Sequence, residues 1–426
     1  MGMALVAVVV AAIKLKTGNR ALAAFTSAAL ALPGISSSLH AEVAPQDYSL
    51  DTNFSRYAES GGRMKIDVYQ AVATLPVNDR LSLKFNGVKD VISGASPIGP
   101  ALAGAKNCKG PSRGNLVQCL SGASIHDVRD AVDVNASYFL DNATLDLDAG
   151  RSSENDYTSD FFNVNSRWEL NDKLTTLTTG YGYASDHVWE IIASSGAKIK
   201  APGIGGAKQT HQGILGLTQI LDKDSLFQAN LTYSYSGGYL SDPYKYAYAP
   251  WHDPFNPFCF QNCPTYAGFI RDTRPGSRNQ IGILMRYVRH FSELNRAALH
   301  FDYRFYADTW GINSHTFEAA WMQPVIDDWQ ITPRVRYYTQ NSADFYDVMF
   351  GAPTANGYYS SDYRLAGFGA ISGGVQISKE LFGRLKVSGG MDFYKREQGY
   401  GISGGGGTAL DNFSFSMFSV SLNLKF

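Results

Sequence analysis

The last eight residues, SVSLNLKF (419–426), alternate strictly. Val420, Leu422, Leu424 and Phe426 are apolar; Ser419, Ser421, Asn423 and Lys425 are polar, and Phe418 extends the apolar set by one step. A period of two marks an extended strand with unlike faces. Soluble domains usually let their last residues fray in polar sequence, so a terminal aromatic on a half-apolar strand asks for an apolar medium outside the protein. The segment reads as a strand with Phe418, Val420, Leu422, Leu424 and Phe426 toward lipid and its polar set toward an interior. Just upstream, Phe413, Phe415 and Met417 are apolar at the other parity. A bulge between Ser416 and Phe418 is expected to reconcile the two registers.

The same pattern recurs along the chain, as alternating runs joined by tight turns. The turns read LPVNDRLSL (75–83), LDNATLDL (140–147), LNDKLTTL (170–177), LDKDSLFQ (221–228), ELNRAAL (293–299), IDDWQIT (326–332) and ELFGRLKV (380–387). The first six carry Asn or Asp, which bond their own backbone and tolerate positive φ. The opposite connections are longer: 94–125, 150–157, 186–206, 237–277, 342–360 and 400–411, with short ones near Gly61-Gly62 and Gly311. Short turns at one end and long loops at the other describe an all-β, transmembrane, antiparallel up-and-down barrel. Seven hairpins plus a first and a last strand predict sixteen strands. A β-sandwich also alternates, but sixteen long strands without helices exceed one.

Composition agrees. The chain of 426 residues is 44% hydrophobic and 18% charged, with 25 Tyr, 24 Phe and 42 Gly; soluble domains carry about 25% charge. Beyond residue 41 no run of about 20 apolar residues could form a membrane helix. The net charge of −1 implies no nucleic-acid partner.

Residues 1–41 read as an export signal, with a mis-assigned start upstream of the true signal as the alternative for Met1–Ala12, and 42–426 as the barrel domain. Lys14, Lys16 and Arg20 precede the apolar ALAAFTSAALAL (21–32), Pro33-Gly34 breaks it, and Ala41 offers a cleavage point. Exported cysteines meet an oxidising compartment. Cys108 with Cys119 and Cys259 with Cys263 are the simplest disulfide pairing of three; a metal reading of Cys259 and Cys263 has only His252 nearby.

The polar faces predict a charged lumen. Asp67, Asp90, Asp133, Asp146 and Asp148 form an acidic wall in the first half. Arg304, Arg334, Arg336, Arg364, Lys386 and Arg396 form a basic wall in the second, with His300 and Asp302 also inward. Lys65 and Lys84 dilute the first wall; Asp302, Asp308, Glu318 and Asp392 dilute the second. Facing walls of opposite sign would set up a transverse field across a pore; the plainer reading is mutual neutralisation in a wide lumen. The aromatic and Pro-rich stretch 241–269 cannot be a strand. It either folds inward as a constriction or lies outside as a rigid lid.

Catalysis has thin support. Ser314, His315 and Glu318 are close in sequence, but no G-x-S-x-G elbow exists. The Gly runs at 371–375 and 402–407 lack a helix to dock phosphate. No cofactor is expected.

The segments DVISGASPIG (90–99), GYLSDPYK (238–245), DTWGINSHTFEAAW (308–321) and PRVRYYTQNSADFY (333–346) resemble a domain-of-unknown-function family of Gram-negative outer-membrane proteins, over nearly the whole chain. The resemblance implies a barrel in the outer membrane and no chemistry. It also implies a neighbourhood of small lipoproteins, thioredoxin-like proteins and flavin-attaching enzymes, hence a link to periplasmic redox work. Within the matching segments, Trp310 is expected at the outer interface as a belt residue. The leading expectation is a porin-like pore or conduit for small polar solutes. The second is a non-conducting scaffold for a periplasmic or lipoprotein partner. Expected partners are outer-membrane lipid, the barrel-assembly machinery, which would read Phe418, Leu422, Leu424 and Phe426, and further copies of the chain.

Overall fold

The computed structural model describes residues 44–94, 97–102, 112–113, 116–120, 125–194, 197–251, 268–402 and 412–426. The expected signal segment, Cys108, Cys259 and Cys263 lie outside them, and Cys119 is described in its backbone alone.

Sixteen antiparallel strands close into one barrel whose ring order follows the chain. They are β1 Ser49–Glu59, β2 Met64–Asn78, β3 Leu81–Gly94, β4 Ile125–Phe139, β5 Ala143–Ser153, β6 Tyr157–Leu170, β7 Thr175–Ser194 and β8 Ala197–Asp222. The second half is β9 Ser225–Gly238, β10 Ser277–Phe291, β11 Ala297–Asp308, β12 Asn313–Pro324, β13 Trp329–Gln340, β14 Phe368–Leu381, β15 Leu385–Glu397 and β16 Phe413–Lys425. β16 closes the ring by pairing with β1 from Ser49↔Lys425 to Glu59↔Phe415.

All seven predicted turns join consecutive strands at one end. In four of them the turn residues supply a left-handed backbone: Asn171, Asp172, Asn295, Asp327, Asp328 and Gly383 all take positive φ. At the other end the 186–206 loop is a correction. β7 and β8 run through it as strands of 20 and 26 residues, with a register shift between Trp189 and Ile191. The glycines that made this stretch look loop-like let the hairpin bend instead: Gly205 has φ +131 and approaches the Val188 carbonyl too closely for any Cβ.

One face of the barrel is apolar and exposed. Val132, Val134, Leu147, Val164, Leu215, Leu217, Val335, Val375 and Phe393 all lie on it, Val132 at 63% exposure and Val335 at 55%. A belt this continuous far exceeds what soluble surfaces show. Aromatics border it at both ends. Tyr138, Trp168 and Trp329 sit near the short turns, and Tyr69, Tyr233 and Tyr235 nearer the long loops. Such girdles mark the two membrane interfaces of a spanning barrel.

The bulge expected in the last strand is absent. β16 pairs with β15 and with β1 without a register shift. Phe418, Val420, Leu422 and Leu424 face outward, whereas Phe415 and Met417 point inward and are 4% and 1% exposed. They need no second register because the barrel interior at that end is itself apolar. Phe415 packs with Tyr57, Met64, Ile66, Val68, Ile92 and Tyr363.

Candidate functional site

Tyr363 comes from the connection 341–367, which folds inward at the long-loop end. Its Phe345 and Leu365 join Leu240, Trp310 and Ile312 in a second buried cluster. Its Phe350 and Tyr359 join Ala247 and Ala249 of the β9–β10 connection in a third. The described part of the 241–269 stretch packs on this connection at the long-loop end. Strands Tyr246–Tyr248 and Phe269–Arg271 pair within it.

The two connections are locked by buried charge. Arg274 donates to Asp272 at 2.6 Å and to Asp362 at 2.8 Å. Arg364 donates to Asp362 at 2.9 Å and to Asp242 at 2.8 Å. The Asp242 amide donates to Asp272 at 2.7 Å, and the Ser360 hydroxyl also donates to Asp272. Lys245, 2% exposed, lies over the Tyr363 ring at 5.1 Å. Three carboxylates and three cations thus balance. Buried charges persist only when paired and hydrogen-bonded. Burial alone would raise the Asp362 carboxyl, but Arg364, Lys245 and Arg274 together hold it well below the usual range. Burial lowers the Lys245 ammonium to about 8, against the pull of Asp362. The plug is fastened to the wall as well. Gln340 donates to the carbonyls of Arg364 and Ala366 at 3.1 and 2.7 Å, and the Arg396 guanidinium lies 4.7 Å from the Tyr363 ring.

The register places most of the expected lumen residues inside. Asp90, Asp133, Asp146 and Asp148 share the inner face of β3–β5. His300, Asp302, Arg304, Arg334, Arg336, Lys386 and Arg396 share the inner face of β11–β15. β4 and β12 are eight places apart in the ring of sixteen, so the two groups face one another. Four positions need correction. Asp67 points outward beside Tyr69 and pairs with Arg56 at 2.7 Å, and Lys65 shares that face. Arg364 lies in the plug, on no strand. Trp310 is 4% exposed in the plug, where its Nε1 donates to the Ser277 carbonyl at 3.0 Å, and is no belt residue.

The acidic wall is also less acidic than its aspartates suggest. Arg129 pairs with Asp90 at 2.6 Å, Arg167 with Asp146 at 3.0 Å and Lys208 with Asp186 at 2.8 Å. Opposite, Arg286 binds Asp302 at 2.6 Å and Arg334 binds Asp392 at 2.8 Å. These inward cations follow from the same alternation once each strand's phase is fixed; Arg129 reads off VRDAVDVN directly. Asp133 and Asp148 take amide donors instead, from Asn86 and Asn163 at 2.8 Å each. The Ser314, His315 and Glu318 set does not assemble: His315 is on the outer face against Tyr303 and Phe305, while Ser314 and Glu318 face inward.

Among the described residues, Asp127, Glu154 and Asp156 each bring one carboxylate oxygen within 4.8 Å of the others, at the β5–β6 connection. They are tied internally. Asn155 donates to Asp127 at 2.6 Å, and Tyr244 bonds Asp156. Burial, reinforced by Asp127 and Asp242 against the Tyr244 bond, raises Asp156 to about 6. Burial raises Glu154 further, with Arg129 the opposing cation. An unfolded aspartate titrates near ~3.9. Between about 4 and 6 the folded turn therefore holds a proton that the unfolded chain lacks, and its stability rises as pH falls through 6. Amide exchange at 154–156, corrected for intrinsic rates, should slow from about pH 7 to about pH 5. Asp156→Asn should flatten that dependence; an unchanged profile would reject the assignment.

Fold and interior define a closed β-barrel of the outer-membrane type with the 341–367 connection packed on its inner face. The chain belongs to the family described as "Protein of unknown function (DUF3570)", matched over residues 22–417. No curated protein matches the sequence. Among solved structures, it is similar to CdiB from Acinetobacter baumannii at TM-score 0.51 and 7% identity, over 90% of this chain and 60% of that one. It is also similar to a bacterial polysaccharide outer membrane secretin, at 0.46 and 8% over 89% and 98%, and to opdK from Pseudomonas aeruginosa, at 0.39 and 9% over 89% and 99%. At these identities the likeness concerns fold alone.

Proposed function

We propose that the chain is an outer-membrane conduit for small polar solutes whose outer mouth is held shut by an ion-latched plug. The observation that carries this reading is the balanced buried network of Asp242, Asp272, Asp362, Lys245, Arg274 and Arg364. It joins two long connections above a polar lumen. Below the plug the lumen is wet: Lys84 is exposed, and the Arg304 side chain is 31% exposed. Among the described residues without an ion pair, Asp133 and Asp148 outnumber Lys84 on one wall and Arg336 and Lys386 outnumber Glu318 on the other, which gives a residual transverse field. No step of the reading needs an enzyme.

Insertion through the barrel-assembly machinery fits the outward Phe418, Leu422 and Leu424, with Phe426 at the end. The second reading, a scaffold for a periplasmic or lipoprotein partner, draws on the same plug, because a filled mouth need never open. Planar-bilayer recording separates the two. The conduit reading expects brief ohmic openings from a mostly closed protein. Silence under all voltages, with a partner that co-purifies in fixed ratio, would favour the scaffold.

A further inference from the structure

The inner wall beneath the plug holds a guanidinium that makes no ion pair among the described residues. In the register, Arg286 faces Asp302, Asp302 faces Glu318, and Glu318 faces Arg336. Arg286 takes both Asp302 oxygens, with its Nε at 2.6 Å. Arg304 reaches the same carboxylate only at 3.5 Å. Among the described residues Arg336 makes no ion pair, and its Nε is buried with no hydrogen-bond partner. Three guanidiniums against two carboxylates leave this patch one positive charge in surplus. A buried donor of this kind is costly unless something accepts from it.

We infer that Arg336, with Arg304 beside it on the lumen side, binds the carboxylate of a small monoanionic solute. The inference deepens the conduit reading and rests on it for access to the lumen. A guanidinium fork matches a planar carboxylate with two parallel bonds. The single surplus charge sets the class. A monoanion neutralises the patch, whereas a dianion would also meet Glu318, which faces Arg336 in the register and lacks an ion pair among the described residues. Arg334, two residues away on the same face, cannot serve, because Asp392 already occupies its fork.

The test is calorimetric titration of the purified full-length protein in detergent, with propionate and separately with inorganic phosphate. Propionate should bind the unaltered chain. Arg336→Gln should weaken it about 10- to 100-fold, as for loss of charged hydrogen bonds. Arg336→Lys should recover part of that loss, and Lys84→Gln, on the opposite wall, should change nothing. Heat-modified gel mobility checks that each variant is folded. Propionate binding that survives Arg336→Gln in a folded barrel, or phosphate bound more tightly than propionate, would overturn the inference. Arg336-sensitive binding in a protein that never conducts would keep the site and remove the conduit. Conductance with Arg336-insensitive binding would do the reverse.

Discussion

Asp362→Ala should unlatch the barrel. Asp362 is 1% exposed and bonds both Arg274 and Arg364. Its loss leaves two buried guanidiniums and the Lys245 ammonium against Asp242 and Asp272, a net charge of +1 in a buried site. Breaking a buried pair by removing one partner typically costs about 3–5 kcal/mol. Five hydrogen bonds to one carboxylate place this change at the upper end of that range. The barrel wall does not depend on the network, since its ladders run unbroken from β1 to β16. The cost therefore falls on the plug. Mean conductance in planar bilayers should rise by at least about tenfold as the closed population falls, while heat-modified mobility stays that of a folded barrel. Asp362→Asn keeps the shape and loses the charge, and should give an intermediate rise. A folded Asp362→Ala protein with unchanged conductance would show that the network does not hold the mouth shut.

Val335→Arg should prevent folding in the membrane, although its neighbours at 334 and 336 are already arginines. Val335 is outward, between Ala319 and Gly373 on the adjacent strands, near the middle of β13. An arginine facing lipid near the bilayer midplane costs about 2–4 kcal/mol. Yield in refolding into lipid vesicles should drop by about 30-fold or more, since each 1.4 kcal/mol is a factor of ten. Thr332→Arg, at an inward position of the same strand, serves as the control and should fold. Equal yields for the two variants would contradict the assignment of faces.

Alternation carried most of the fold. In LHFDYRFYADTW and TPRVRYYTQ the greasy and charged sets fall on opposite faces, and the register puts them outside and inside as the pattern implies. The turns were legible because Asn and Asp either adopt positive φ, as in three of the turns, or accept from the turn backbone, as Asn78 and Asp222 do. Two of the failures, Asp67 and the last-strand bulge, share one physical cause. Near the mouth the usual rule inverts: Met64, Ile66 and Val68 face inward because the plug makes the interior apolar there. Asp67 and Arg56 then face outward as an exposed pair near the long-loop end. Phe415 and Met417 looked like a second register for the same reason. Nothing in the strand pattern announces a plug built from a distant segment, so the inversion was invisible locally. Arg364 and Trp310 were misplaced because they sit in connections, where no period constrains a side chain. Their partners, among them Asp242 and Arg274, lie far away in sequence.

The most direct measurement compares the unaltered protein with one in which residues 343–366 are replaced by a short Gly-Ser turn, both recorded in planar bilayers. A plugged conduit should show rare, small openings before the replacement and a large, steady, ohmic conductance after it. A folded barrel that stays silent without the plug, or an unaltered protein already fully open, would contradict the account.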